Sequence, residues 1–312
     1  MFGSKVLLAL MIAAAGIFSH RSASARAREG FVDVDSDYGR IWVVDGLDRR
    51  TGRMMRSMSN DPYGGQSVVF LDDFDELFAD YMRFYRLASH FRPNLRRALT
   101  IGGAGYVGVR DFMRRNPDSE IDVVEIDPKF TELAETHFRL KRVPRLKIFH
   151  EDARTFLGRP HRRYDALIVD AFLSTFTPPF QLATLEAVRL YEEALEEDGI
   201  LLLNMVSSID GDTGKFFRAQ VATFKRVFPQ VHVLPVSDPK RPELWQSLIL
   251  VASKSQTPLS FSSEDPEFQR YLNHVWTGEI GADMPILTDD YAPVEQLLLD
   301  AVASLERRRS RY

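Results

Sequence analysis

The sequence contains no cysteine, which excludes disulfides, thiolate nucleophiles and thiolate metal sites. It also lacks a strong charge of either sign. A formal net charge of −4 offers no basic surface for nucleic acid, so a small-molecule partner is expected. Its histidines, among them His137, His150, His161, His232 and His274, follow no ligand spacing, and no metal is expected. Internal repeats and low-complexity segments are absent. So is a long apolar run: the uncharged stretch Val6 to Phe18 is shorter than the roughly 20 residues that span a bilayer. Lys5 before that stretch and Ala23-Ser24-Ala25 after it, with small-x-small cleavage spacing, read residues 1–25 as a secretory signal peptide. His20 and Arg21 are untidy within such a signal, so an N-terminal membrane anchor and a cytoplasmic protein both stay open.

What is present suits one large enzyme domain with a small accessory element. The 312 residues can bury a sizeable core, and 45% apolar with 27% charged residues is ordinary for a soluble globular protein. Between Arg40 and Leu71 the short stretches "RIWVVD", "GRMMRSM" and "SVVFLDD" are separated by Asp-Gly, Thr-Gly and Pro-Tyr-Gly-Gly, which predicts a small antiparallel β element over residues 40–75. A helix is expected over "DELFADYMRFYRLASHF", where Leu77, Phe78, Tyr81, Phe84, Tyr85 and Ala88 recur with helical period.

From there strands and helices alternate. "RALTI", "IDVVEID", "LKIFHED", "YDALIVDAF", "GILLLNM", "VHVLPV" and "SLILVAS" are strand-like, and helical stretches separate most of them. Apolar β-branched runs in this alternation imply an α/β fold, a mostly parallel seven-stranded sheet covered on both faces, over residues 76–300. Residues 301–312 read as a basic, solvated tail.

In such sheets ligands bind beyond the carboxyl ends of the strands, where the strand order reverses. The turn Gly103-Ala-Gly105-Tyr-Val-Gly108 follows the strand "RALTI" and opens a helix at Val107, so it belongs to that edge. Glycine there lets a ligand approach the backbone. Glu125 ends the next strand, where a carboxylate can accept hydrogen bonds from both ribose hydroxyls. A nicotinamide enzyme, an S-adenosylmethionine-type enzyme and a bare tight turn beside a surface acid all fit to this point. Asp152 and Asp170 end the third and fourth strands. Three acids at neighbouring strand ends favour a positive adenosyl sulfonium and repel a pyrophosphate, which argues against a dehydrogenase.

The combination "LTIGGAGYVGVRDFMRR", "VVEIDPKFTELAETHF", "IFHEDARTFL", "RYDALIVDAF" and "PILTDDYAPVEQLL" resembles the spermidine synthase (polyamine aminopropyltransferase) family, in particular its bacterial spermidine synthase-like branch, from about Arg40 to Leu298. The resemblance implies a Rossmann-like class I S-adenosylmethionine-dependent methyltransferase fold with a small N-terminal β element. It also implies transfer of an aminopropyl group from decarboxylated S-adenosylmethionine to putrescine or a related amine, with no permanently bound cofactor. Gly102, Gly103 and Gly105 would face the methionine-derived part of the nucleotide, Glu125 the ribose, and Asp152 with Ala153 the adenine. Asp170 stands at the family's catalytic aspartate position, and the helix with Tyr81 stands where the family covers its active site. The implied partners are nucleotide and amine ligands without nucleic acid, and a homodimer is open.

Three departures from the family pattern bear on activity. Gly105 replaces the aspartate that holds the aminopropyl ammonium, and Asp170-Ala171-Phe172-Leu173-Ser174 lacks the family's second carboxylate. Tyr81-Met82-Arg83 replaces tyrosine-histidine-glutamate. Each missing carboxylate removes a partner of about 1–3 kcal/mol for a cationic amine. Weak transfer to putrescine is therefore expected unless Asp289, Asp290 or Glu295 compensates, with a Michaelis constant that falls when Gly105 is changed to Asp. Asp289 and Asp290 have a second reading, a turn before Pro293. Tyr81 and Tyr291 read as core or rim aromatics. A methyltransferase using ordinary S-adenosylmethionine and a non-catalytic adenosyl-ligand-binding protein are the alternatives.

Overall fold

The computed structural model describes residues 31–60, 65–173 and 178–309, so the segment 1–25 read as a signal or anchor lies outside the described residues. Four strands, β1 (Phe31–Ser36), β2 (Gly39–Leu47), β3 (Met54–Ser59) and β4 (Ser67–Phe70), form an antiparallel sheet in chain order. This sheet begins at Phe31, upstream of the first stretch expected from Arg40. The Asp48 carbonyl accepts the Gly52 amide in the turn between β2 and β3. Gly52 has φ +71°, the left-handed conformation that glycine adopts without steric cost.

The larger sheet holds the seven strands that the periodicity predicts: β5 (Arg97–Ile101), β6 (Glu120–Val124), β7 (Leu146–Phe149), β8 (Tyr164–Val169), β9 (Leu195–Ser207), β10 (Gln230–Pro235) and β11 (Gln246–Ser253). Their order is β10-β11-β9-β8-β5-β6-β7. Pairing is parallel from β9 through β8, β5 and β6 to β7, and antiparallel at β11. The chain leaves β5 toward β6 and β7 on one side and returns to β8 and β9 on the other, which places the reversal of strand order at the carboxyl ends of β5 and β8.

Alternation along the strands divides the core. Ala98, Ala166, Ile168, Ile200 and Leu202 face one layer; Leu99, Ile101, Leu167, Val169, Leu201 and Leu203 face the other. Ile41, Val43, Met58 and Val69 of the small sheet join the first layer. Burial of these apolar faces therefore fixes the small sheet over one face of the large one.

Among the described residues the α-helices are α1 (Asp80–Phe84), α2 (Leu87–Phe91), α3 (Val107–Arg115), α4 (Pro128–His137), α5 (Ala153–Leu157), α6 (Leu185–Ala194), α7 (Lys215–Phe224), α8 (Pro266–Leu272) and α9 (Val294–Arg309). Two of them depart from the sequence expectation. The single helix expected before β5 is split into α1 and α2, because the amides of Tyr85, Arg86, Ala88 and Ser89 bond three residues back and tighten the pitch. Arg86, at the joint, is held by Asp111 and Glu267. The basic segment after residue 300, for which no helix was expected, is helical as far as Arg309 at the end of α9. Among the described residues no helix is long and apolar enough to cross a membrane.

Candidate active site

The turn after β5 is shaped by the protein's own packing. Gly102 has φ +90°, and a Cβ there would lie 2.3 Å from the Asp170 carbonyl oxygen. At Gly103 a Cβ would meet the Tyr106 ring at 2.6 Å. Glycine was expected here to admit a ligand; steric demand comes first from neighbouring protein atoms. Ala104 and Tyr106, at φ 42° and 55°, also adopt left-handed backbone, and within this turn the successive amides of Gly103 and Ala104 point to one carboxylate.

Glu125 receives those amides. Its Oε2 accepts Gly103 N at 2.8 Å and Ala104 N at 3.0 Å, and its Oε1 accepts Asp127 N at 3.0 Å. Burial raises the pKa of this carboxyl from its ordinary value, and the backbone donors oppose that shift without cancelling it. Asp127 caps α4 through Lys129 N and accepts Ser36 Oγ at 2.6 Å, so the β1–β2 hairpin is fastened beside the same strand end. Asp152 caps α5, its Oδ1 accepting Thr155 N at 2.9 Å.

Asp170 follows β8 directly, its amide bonded to Ile101 O at 2.9 Å. Its Oδ1 accepts Asn204 Nδ2 at 3.1 Å and its Oδ2 accepts the Tyr81 hydroxyl at 3.3 Å. Burial raises the Asp170 pKa, an effect that the three polar neighbours Asn204, Tyr85 and Tyr81 oppose. Burial, followed by the charge of Asp170, pushes the Tyr81 and Tyr85 phenols well above their usual value. A carboxylate so placed can accept a proton from a group in the cavity.

These groups surround one cavity of about 420 Å³, within the range of small-molecule sites. Gly102, Gly103, Glu125, Asp152, Ala153 and Asp170 all line it. Gly105 is not among the lining residues: its amide donates to Ser67 Oγ at 2.8 Å, and a Cβ would lie 2.6 Å from Ser67 Cβ. The C-terminal acids, which could have compensated, also stand outside the cavity lining. Asp289 binds Arg154 and Thr184, each at 2.6 Å, while Asp290 lies in the Thr288–Tyr291 turn; neither they nor Glu295 line the cavity. Tyr291 is exposed and Tyr81 faces Asp170.

The spermine/spermidine synthase domain model matches residues 82–260, more than half of the chain. The chain belongs to that family. It is 31% identical over 229 residues to a polyamine aminopropyltransferase of Alkaliphilus oremlandii, covering 72% of each chain. It is 28% identical over 265 residues to a probable polyamine aminopropyl transferase of Bifidobacterium longum, covering 78% of this chain and 58% of that protein's length. A probable spermidine synthase of Corynebacterium glutamicum shares the fold, with a TM-score of 0.62 and 22% identity, over 80% of this chain and 88% of that one.

Within this family member, sequence reasoning overlooked Ser67, Tyr85 and Asn204. Two of them left a signal. Tyr85 lies four residues after Tyr81 in a helical pattern, and Asn204 is a polar residue in the otherwise apolar run "GILLLNM".

Proposed function

We propose that this protein transfers the aminopropyl group of decarboxylated S-adenosylmethionine to the amine of a polyamine-type acceptor. The observation that carries this reading is the opposition of two strand ends across one cavity: the Glu125-bound glycine turn after β5 and the Asp170 carboxyl after β8. In this reading Glu125 and Asp152 receive the ribose and adenine, and Ala153 packs beside the base. Both carboxylates beside the turn favour the positive sulfur.

The acceptor amine, deprotonated at Asp170 directly or through water, attacks the aminopropyl carbon bonded to sulfur. A carbon–nitrogen bond forms and the carbon–sulfur bond breaks. Its electron pair stays on sulfur, which leaves as the neutral thioether methylthioadenosine, while the amine proton goes to Asp170. Tyr81, hydrogen-bonded to Asp170, holds the carboxyl toward the cavity. Incubation of the purified protein with decarboxylated S-adenosylmethionine and putrescine tests the reading. Methylthioadenosine and spermidine released in equal amounts support it; transfer of methyl from ordinary S-adenosylmethionine, with no aminopropyl transfer, contradicts it. For residues 1–25 the reading remains export or anchoring through the N-terminal segment, with a cytoplasmic protein as the alternative; a mature terminus near Arg26 in the native host would support export, and an intact Met1 or Phe2 terminus on a soluble cytoplasmic species would contradict it.

A further inference from the structure

The C-terminal stretch "PILTDDYAPVEQLL" lines no part of the cavity, yet it reaches the cavity wall through one side chain, Asp289. The short 3-10 turn Phe180–Leu182 belongs to that wall, where Pro179, Gln181 and Leu182 face the cavity. Three successive carbonyls of this segment are held from three different helices: Gln181 O accepts Arg154 Nη1 at 2.9 Å, Leu182 O the Tyr191 hydroxyl at 2.8 Å, and Ala183 O the Gln220 Nε2 at 2.6 Å. Tyr191 and Gln220 are buried, so the core fixes the last two. The anchor at Gln181 is different, because Arg154 also donates to Asp289 Oδ2 at 2.6 Å and to Thr184 Oγ1 at 3.0 Å, while the Thr184 hydroxyl donates to Asp289 Oδ1 at 2.6 Å. A closed triangle of Arg154, Thr184 and Asp289 therefore sets the place of Gln181.

We propose that Arg154 and Asp289 are positioning residues for the donor: from outside the cavity they hold the Gln181 end of the wall at the width the adenosyl group needs. This rests on the aminopropyl transfer reading, in which Asp152 and Ala153, next to Arg154 in the chain, receive the base. A guanidinium fixed by two other groups presents its remaining bond in one direction, and a wall ordered before binding spares the ligand the entropy of ordering it. The clasp then acts on nucleoside affinity and leaves the chemical step alone. The Asp289 side chain is half exposed, and an ion pair at such a site adds little to global stability. Its loss is therefore felt in ligand binding, with little change in melting.

The variants Arg154→Met, Asp289→Ala and Asp289→Asn test this. Methylthioadenosine is titrated calorimetrically into wild type and each variant, and initial rates are measured with decarboxylated S-adenosylmethionine and putrescine. In Arg154→Met the methylthioadenosine Kd and the donor KM are expected to rise about tenfold, with kcat, the putrescine KM and the melting temperature close to those of wild type, the pattern of lost uniform binding. Asp289→Ala is expected to show a smaller rise of the same kind, about threefold, and Asp289→Asn, whose amide oxygen still accepts a hydrogen bond, to restore most of the affinity. Methylthioadenosine Kd and donor KM unchanged in both Arg154→Met and Asp289→Ala overturn the proposal. So does a loss of affinity that comes with a lower melting temperature and an equal fall in kcat, which marks a structural role. A wild-type protein that binds no methylthioadenosine instead refutes the transfer reading, and this positioning role with it.

Discussion

The Glu125 carboxylate accepts the amide of Gly103 at 2.8 Å, so the acid at the end of β6 and the turn at the end of β5 form one unit. The same carboxylate stands where the ribose hydroxyls are proposed to bind. In that reading ligand recognition and loop shape share a group.

Glu125→Ala is predicted to act on both. It leaves the amides of Gly103, Ala104 and Asp127 without their acceptor, and a cost of about 1–3 kcal/mol in unfolding free energy is expected. Methylthioadenosine binding weakens by a similar amount, about 1–3 kcal/mol. Chemical denaturation and calorimetry check the two effects separately.

In the proposed reading Asp152 also combines two tasks, and serine separates them. Ser accepts the Thr155 amide as an N-cap but carries no charge, whereas Ala does neither. Asp152→Ser is expected to keep the stability of wild type and lose adenosyl-ligand affinity. Asp152→Ala is expected to lose that affinity and about 0.5–2 kcal/mol of stability as well.

The raised pKa of Asp170 has a defined sign. A carboxyl whose folded pKa lies above its unfolded value, about 3.9, stabilises the fold fully below that value, and the contribution is lost as pH rises through the folded pKa. Asp170→Asn cannot ionise, so it should melt no lower than wild type at pH 7, and its advantage should vanish below about pH 4. Melting curves across this range check the window.

Gly105→Asp illustrates what the sequence pattern alone misleads about. By motif, aspartate there restores a partner for the aminopropyl ammonium. In the structure its Cβ would collide with Ser67, and the residue lies outside the cavity lining. The variant is therefore expected to be destabilised, by about 1–3 kcal/mol as for an overpacked site, with no fall in the putrescine Michaelis constant. Thermal melting and initial-rate kinetics measure both.

Much of the fold was legible because the strands of the large sheet are short apolar runs bounded by acids, as in "YDALIVDAF", where the pattern ends at Asp170. Glu125, Asp152 and Asp170 could be assigned to one edge for the same reason. Strand β1 was overlooked: Val32, Asp33, Val34 and Asp35 do alternate, but aspartate is depleted in strands and the run is short, and its pairing with β2 supplies what propensity lacks. At the break between α1 and α2, Arg86 meets Asp111 and Glu267, the latter 181 residues away, contacts that no local pattern reports. Ser67 is a single hydroxyl whose part in the glycine turn exists only once the two sheets are packed together.

The central claim, that the cavity transfers an aminopropyl group with Asp170 taking the amine proton, is tested most directly by comparing wild type with Asp170→Asn. Methylthioadenosine release from decarboxylated S-adenosylmethionine and putrescine is followed in both, at matched occupancy by the donor. The account predicts measurable turnover in wild type and a loss of about 100-fold or more in the variant, in line with removal of a general base, while adenosyl-ligand binding is retained. Wild-type turnover that survives Asp170→Asn undiminished would contradict it.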